Sequence, residues 1–360
     1  MKITRSTKCS IKFSTKYKKT QLIFILNEYQ SVVNFFIDLF WNNPIEKKDL
    51  LKDVVNSNQS WFSHRLKKTA AREAIDMIKT ACAANQPKPF HNGKRMCVSS
   101  TIAELQQSKT KTFDNWLHLS SIGNKTIIDI PIKLHKHFYK WNNKGERLNY
   151  YIITKDYVQF CFKIETGPKK ERKQTLGLDS GINSLASLST GEQLGLNIKE
   201  QIEKINRKKY GSKGQKRARK ALKQIMDEIA KQLTSDDNID CIVVEKLSNL
   251  NYKSKIKKKS SKGLRKVIGS WVWRYWLTRI QMNCEENRVF FRSVHCYNTS
   301  IICNECGHTD KRNRQGDIFL CLNCGHTDNA DINAAKNILD LFLTGPYGAG
   351  FKPLDQIKIL

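Results

Sequence analysis

The spacing of apolar positions changes several times along the chain, and each change marks an element. The run "QLIFILNEYQSVVNFFIDLFW" within 17–42 interrupts its apolar residues with Asn27, Glu28, Gln30, Asn34 and Asp38. This predicts an amphipathic helix, because a membrane span needs about 20 predominantly apolar residues in succession. A second helical pattern covers 64–85 and gives way to the Pro-containing loop "NQPKPFHNGK". Residues 1–15 and 126–165 are strand-rich, and "LNYYIITKDYVQFCFKIE" reads as a hairpin turning near Lys155-Asp156. The simplest organisation is a small β domain with a helical insertion, ending at the basic linker "GPKKERK" (167–173).

Beyond the linker, strands alternate with helices. "QTLGLDSGINSLASLSTGE" reads as strand, turn, strand, with Gly181 and Gly191 at the turns. A long helical stretch follows, broken near Gly211 and Gly214 into a helical hairpin. "IDCIVVEKL" is a continuous apolar run rich in β-branched residues, the pattern of a strand buried on both faces. "GSWVWRYWLTRIQMNCEEN" predicts a helix with Trp273, Trp276 and Ile280 at core spacing. "RVFFRSVHC" is another strand, and "INAAKNILDLFL" a last helix. This alternation defines an α/β domain. The segment after Gly345 has no periodic pattern and is expected to be a flexible tail (346–360).

Charge adds a partner to this outline. Sixty-three Lys and Arg against 33 Asp and Glu give a formal net charge of +30, which repels itself unless a polyanion is bound. Nucleic acid is the leading candidate, and the interrupted apolar run argues against a membrane. The opening "MKITRSTKCSIKF" lacks the apolar core of a signal peptide. Eleven cysteines, seven of them scattered singly, fit a reducing compartment rather than a disulfide framework.

The other four cysteines form two pairs, Cys303/Cys306 in "CNEC" and Cys321/Cys324 in "CLNC", separated by 14 residues. Two thiolates on each tight turn can share one ion, so the four predict a tetrahedral, structural zinc site. Both pairs continue as Cys-Gly-His-Thr-Asp, as if two similar turns face each other. His308 and His326 are alternative ligands, but four cysteines already close the shell.

Three acids stand out in the same half. Asp179 closes an apolar strand, Glu245 ends "CIVVE", and Asp331 opens the last helix. Singly they read as a turn former, a solvated strand end and a helix N-cap. Together, two strand ends and a helix start in one α/β domain can converge on one sheet edge. Converging carboxylates suit Mg²⁺, and a pair of such ions supports phosphodiester cleavage. Ala334 and Ala335 are small enough to let the last helix approach the sheet closely. The connections between the acids are basic, and Arg207, Lys208, Lys209, Lys213, Lys216, Arg217, Arg219, Lys220, Lys257, Lys258 and Lys259 are candidate phosphate contacts. Trp61, Trp116, Trp141 and Tyr150 could stack on bases, although core packing is the commoner role for such residues.

Four motifs, "GLDSGIN", "IVVEKLSNL", "NTSIICNECGH" and "CLNCGHTDNADINAAKNI", occur in that order and resemble the TnpB family of transposon-associated RNA-guided nucleases, relatives of the miniature type V CRISPR effectors. "GSKGQKRARKAL" and "GSWVWRYW" fall where that family carries its basic helix and its Trp-containing helix. The resemblance is specific over about 174–340; the N-terminal half matches only in pattern. It implies an α/β, RNase H-like (RuvC) nuclease domain with an inserted zinc ribbon, plus an N-terminal β-barrel wedge domain carrying a helical insertion.

The implied boundaries are 1–16 and 121–170 for the wedge, 17–120 for a helical recognition lobe, 171–300 and 327–345 for the nuclease and 301–326 for the ribbon. The resemblance further implies Asp179, Glu245 and Asp331 as Mg²⁺-binding catalytic acids and a guide RNA and double-stranded target DNA with a short flanking motif as partners. A prokaryotic cytoplasmic, nucleoid-associated location follows from the same resemblance. The expected function is RNA-guided DNA cleavage associated with a transposable element. A nuclease-inactive RNA-guided repressor, a strand-joining transposase and a compact CRISPR effector are the alternatives. Whether two copies pair as a homodimer is left open.

Overall fold

The structure is a computed structural model describing residues 1–107, 113, 115–171, 173–246, 273–295 and 298–344. It divides into two compact units, Lys2–Glu165 and Thr166 onward, the latter joined by Met1. The division falls one residue ahead of the basic linker predicted at 167–173.

The first unit contains β1 (Lys2–Ser10), α1 (Lys16–Trp41), α2 (Lys52–Asn56), α3 (His64–Ala83), β2 (Met96–Ser99), β3 (Ala103–Gln107), β4 (Asn115–Leu119), β5 (Ile128–Ile132), α4 (Lys136–Lys144), β6 (Gly145–Ile153) and β7 (Tyr157–Glu165). One antiparallel sheet runs β1-β7-β6-β2 and a second runs β3-β4-β5. β1 alternates buried and exposed residues along its whole length, as a strand with one wet face must. It pairs with β7 from Lys2–Glu165 to Ser10–Tyr157. The β6–β7 turn falls at Lys155-Asp156, where the Thr154 hydroxyl accepts from the amides of Asp156 and Tyr157.

α1 begins where the Thr15 side chain accepts from the amide of Lys18, and α3 where Ser63 accepts from Leu66, both as N-caps. By length and composition α1 could cross a membrane, the one such helix among the described residues. Nine of its residues, from Leu22 to Phe40, are instead buried in the core of the unit, several against α3.

Two details of this half differ from the pattern read along the chain. Within the region 17–120 the helices end at Ala83, and the strands β2 (Met96–Ser99), β3 (Ala103–Gln107) and β4 (Asn115–Leu119) follow. In "NWLHL" every second residue is buried, a period of two that the strong helical signal upstream overshadows. Conversely, the strand-rich stretch 126–165 contains α4, whose Phe138 and Trp141, three apart, bury one face of a short helix.

The second unit contains β8 (Gln174–Asp179), β9 (Ala186–Leu188), β10 (Gln193–Leu194), α5 (Ile198–Asn206), α6 (Lys213–Ser235), β11 (Ile239–Glu245), α7 (Trp273–Glu286), β12 (Phe290–Val294), β13 (Arg314–Gln315), β14 (Ile318–Leu320), β15 (Thr327–Asn329) and α8 (Ala330–Thr344). Its five-stranded sheet is ordered β10-β9-β8-β11-β12. β8, β9 and β10 form an antiparallel meander, while β11 and β12 run parallel to β8. The sheet is covered on both faces. Leu176, Ile242, Val244 and the buried Trp276 and Ile280 of α7 share a core with α5 and α6. Cys241 and Val243 pack against Ile338 and Phe342 of α8. β11 alternates between these two cores, which is why Cys241–Val244 is apolar without interruption.

The α5–α6 hairpin turns at Gly211, whose φ of +74° lies in the left-handed region that glycine enters without strain. Gly177 on β8 has a different task. A Cβ there would lie 2.2 Å from the carbonyl oxygen of Ala335, so α8 rests its backbone directly on the strand.

Candidate active site and metal centre

The three acids are brought together by this architecture. Leu178 pairs in register with Val244 on parallel neighbours, so the next residue on each strand, Asp179 and Glu245, emerges at the same sheet edge. Asp331 arrives from the other direction. Ala335 sits over Gly177, and Asp331 is one helical turn earlier on α8, which carries it toward the end of β8. The N-cap reading of Asp331 is overturned: the Asn329 side chain accepts from the amides of Asp331 and Ile332 and caps the helix, leaving Asp331 in its first turn.

Asp179, Glu245 and Asp331 line one cavity of about 570 Å³, together with Lys199, Glu203, Arg314 and the segment Asn298–Ser300. Burial, then the neighbouring Asp331 and Glu245 carboxylates, push Asp179 up to about 7, against the opposing pull of Arg314 and the Ser180 amide. Burial also raises Glu245. The Arg314 guanidinium donates to Asp331 Oδ1 at 2.7 Å. Ser180, beside Asp179, accepts from the indole N–H of the buried Trp276 at 3.2 Å, tying the site to the core.

These donors fit a hard divalent cation. They are carboxylate oxygens, and the burial and neighbouring carboxylates that raise Asp179 are the conditions a cation among them would offset. They are not drawn together tightly. Among the described residues, the one group of acidic, His or Cys side chains whose ligand atoms all lie within 4.8 Å of one another is the four cysteines.

The cysteine centre is built from two copies of one turn. Gly307 donates to the Cys303 carbonyl at 2.9 Å, and Gly325 to that of Cys321 at 3.0 Å. Cys303 and Cys321 in turn donate to the carbonyls of His308 and His326. Both glycines have φ of +73°, which explains why each Cys-x-x-Cys is followed by glycine. The Sγ–Sγ separations are 3.7 Å for Cys303–Cys324 and 3.5 Å for Cys306–Cys321. Four thiolates about 2.3 Å from a tetrahedral zinc are separated by about 3.8 Å, so the cluster fits that ion. A hydrogen bond from the His308 amide holds the Cys306 thiol down, at about 6, whereas Cys324, against the pull of the His326 amide, is pushed up to about 12 by the surrounding thiols.

The ribbon strands β13, β14 and β15 form a small antiparallel sheet beside this centre. It is fastened to α8 by buried asparagines. Asn333 donates to the Ile302 carbonyl and accepts from the Asn304 amide; Asn337 donates to the carbonyls of Thr299 and Ile302. The repeated Asn residues of "NADINAAKNI" are therefore fasteners.

The basic residues fare differently. Arg207, Lys208 and Lys209 lie in the α5–α6 turn, and Lys213, Lys216, Arg217, Arg219 and Lys220 lie on α6. All but the half-buried Arg219 are exposed, and none lines the cavity. Lys257, Lys258 and Lys259 lie outside the described residues, as does the tail 346–360. The cations that do line the cavity, Lys199 and Arg314, were not singled out from sequence. Lys199 carries no local signal beyond a helix start. Arg314 sits in a ribbon strand, and its place depends on how the ribbon docks.

Residues 273–338 match the Cas12f1-like TNB domain. Over 90% of this chain and 83% of the other, the fold is similar to that in a cryo-EM structure of a Cas12f1–sgRNA–target DNA complex, with a TM-score of 0.58 at 13% identity. A structure of the mini-RNA-guided endonuclease CRISPR-Cas_phi3 aligns over 97% of this chain and 93% of that one, with a TM-score of 0.49 at 11% identity. A comparison with curated proteins gives no match. At these identities the likeness to Cas12f1 is one of fold.

Proposed function

We propose that this protein is an RNA-guided DNA endonuclease that hydrolyses phosphodiesters of target DNA, with a RuvC-type nuclease unit in its second half. The observation that carries the reading is the meeting of Asp179, Glu245 and Asp331 in one cavity at a single sheet edge. The likeness in fold to Cas12f1 supports it. The partners are a guide RNA and double-stranded DNA bearing a short flanking motif, read by base pairing and by protein contacts respectively. A net charge of +30 suits both. The motif order argues for a TnpB-like nuclease of a transposable element in a prokaryotic cytoplasm.

In this reading Asp179, Glu245 and Asp331 hold Mg²⁺, and the four cysteines hold structural zinc. Bound Mg²⁺ supplies activation of water and charge stabilisation at the leaving oxygen. The chain's own groups prepare the substrate. Lys199 and Arg314 give an otherwise acidic cavity two positive groups to draw in a backbone phosphate. The Arg314–Asp331 ion pair keeps that guanidinium at the cavity wall until phosphate or cation competes for its partner.

The Cas12f1-like TNB match favours a second reading with the same chemistry, a compact CRISPR effector. Neighbouring genes separate the two. The decisive experiment is to sequence the RNA that co-purifies with the protein and test the complex with Mg²⁺ on matched DNA. Guide-dependent cuts are expected. Tight guided binding without cleavage across many flanking sequences would leave a repressor, and absence of a discrete RNA would remove the guided reading altogether.

A further inference from the structure

The first unit carries an exposed aromatic and basic cluster unconnected with the acids. Phe13, in the turn before α1, is 45% exposed. Its ring packs on Phe113 at 5.6 Å between centroids, and Phe113 packs on Trp116 at 5.8 Å. Trp116 projects from the face of β4 opposite the buried Leu117 and Leu119. A continuous row of three rings thus leads from the start of α1 onto the outer face of the β3-β4-β5 sheet.

Cations sit on both ends of this row. Lys12 Nζ lies 4.7 Å from the Phe13 ring centroid and Lys18 Nζ lies 5.0 Å from that of Trp116. Lys16 and Lys19 belong to the same segment, "KFSTKYKK". Lys18 donates to the Asp129 carbonyl and Lys19 to that of Lys12, but among the described residues none of these four lysines pairs with a carboxylate, and the first turn of α1 contains no acid. Lysines at the positive end of a helix are electrostatically misplaced unless an anion joins them.

We propose that this row is a stacking platform for a single-stranded stretch of RNA, a claim that rests on the reading of the chain as RNA-guided. The alternation matches a single strand in both of its chemistries: rings for base faces, ammonium groups for the phosphates between them. Phosphate draws Lys12 off the Phe13 ring it now covers, and the vacated face takes a base, while Lys18 stays anchored to the Asp129 carbonyl at 2.6 Å beside Trp116. RNA rather than DNA is taken as the occupant because, in the guided reading, RNA is the resident partner and DNA the substrate, and the conflict at the start of α1 is present in the protein without substrate. Unpaired RNA also offers splayed bases, which a duplex does not.

The test uses the full-length protein, stripped of nucleic acid in high salt, and fluorescence anisotropy with labelled rU12, dT12 and a 12-base-pair RNA duplex as probes. Phe13→Leu keeps apolar bulk but removes the ring, and its thermal unfolding should match the parent protein because Phe13 is largely exposed. Phe13→Leu is expected to weaken rU12 binding by about tenfold, and Phe13→Trp to restore it. Lys12→Gln is expected to lower the salt slope by about one phosphate contact. Parental rU12 affinity in Phe13→Leu overturns the platform, as does an equal loss on the duplex. A Phe13-dependent preference for dT12 over rU12 overturns the assignment to RNA. Guided cleavage of matched DNA is assayed on the parent protein in parallel. If cleavage is absent while rU12 binding still depends on Phe13, the nuclease reading fails and the platform stands; if cleavage is present and Phe13 is indifferent, the platform alone falls.

Discussion

The two candidate ion sites of the second unit are built on opposite plans. The cysteines come from two short turns of similar sequence, and their sulfurs already sit at the spacing a tetrahedral ion requires. The acids come from three elements spread from residue 179 to residue 331, and their oxygens are not gathered to that degree. Thiols tolerate proximity by staying protonated or sharing hydrogen bonds until a metal displaces their protons. Carboxylates at one sheet edge repel, and here an arginine from the ribbon holds one of them aside. The ribbon is a preformed socket for one ion. The acid site is held short of that closeness, as the proposed centre, which must exchange substrate and cation, would require.

The contrast can be tested at its strongest point first. Asp179→Ala should abolish guided cleavage, with a loss on the order of 10³-fold, while leaving guided binding and zinc content unchanged. Retained cutting in a plasmid-nicking assay would remove Asp179 from the catalytic set. Arg314→Gln should slow cleavage by about 100-fold, as loss of a positive group aimed at the reacting phosphate does. It should also move the Mg²⁺ titration to lower concentration, since the cation no longer competes with a guanidinium for Asp331. If neither the rate nor the titration moves, Arg314 is merely a surface ion pair.

Cys306→Ser tests the other side. It should release zinc and lower the melting temperature, measured by metal analysis and calorimetry, while the five-stranded sheet keeps its circular dichroism. Cleavage should fall with it, because Arg314 reaches the acids from the ribbon. The smallest effect concerns pH. Asp179 holds its proton more tightly folded, at about 7, than at its ordinary 3.8. Its contribution to the stability of the cation-free protein is therefore fully present below about 4 and is lost as pH rises through about 7. Thermal melts without Mg²⁺ should decline across that window, and saturating Mg²⁺ should flatten the decline. An unchanged slope with Mg²⁺ would mean that the cation does not bind at Asp179.

Much of this unit is legible in its sequence for one reason: the signals are local. The run "CIVVE" announces a strand covered on both faces, and the paired Cys-x-x-Cys-Gly turns announce their own geometry. The convergence of the acids is readable only because strand ends and a helix start have few places to go in an α/β domain. What escaped notice depends on docking. Lys199 joins the cavity through the placement of α5, and Arg314 through the asparagine fasteners that set the ribbon on α8. No pattern along the chain encodes those distances. In the first unit the strands of 96–119 were hidden because they are four or five residues long, too short for periodicity to outweigh the helices before them.

The asparagine fasteners also make the ribbon a replaceable cassette. The chain enters it at Thr299–Asn304, bonded to Asn337 and Asn333, and leaves it at Asn329, which caps the same helix. Entry and exit are thus pinned to neighbouring turns of α8, and a short linker could close the gap at little entropic cost. An engineer could exchange the module between those two points for another compact insert and leave the five-stranded sheet untouched, provided the newcomer brought its own arginine.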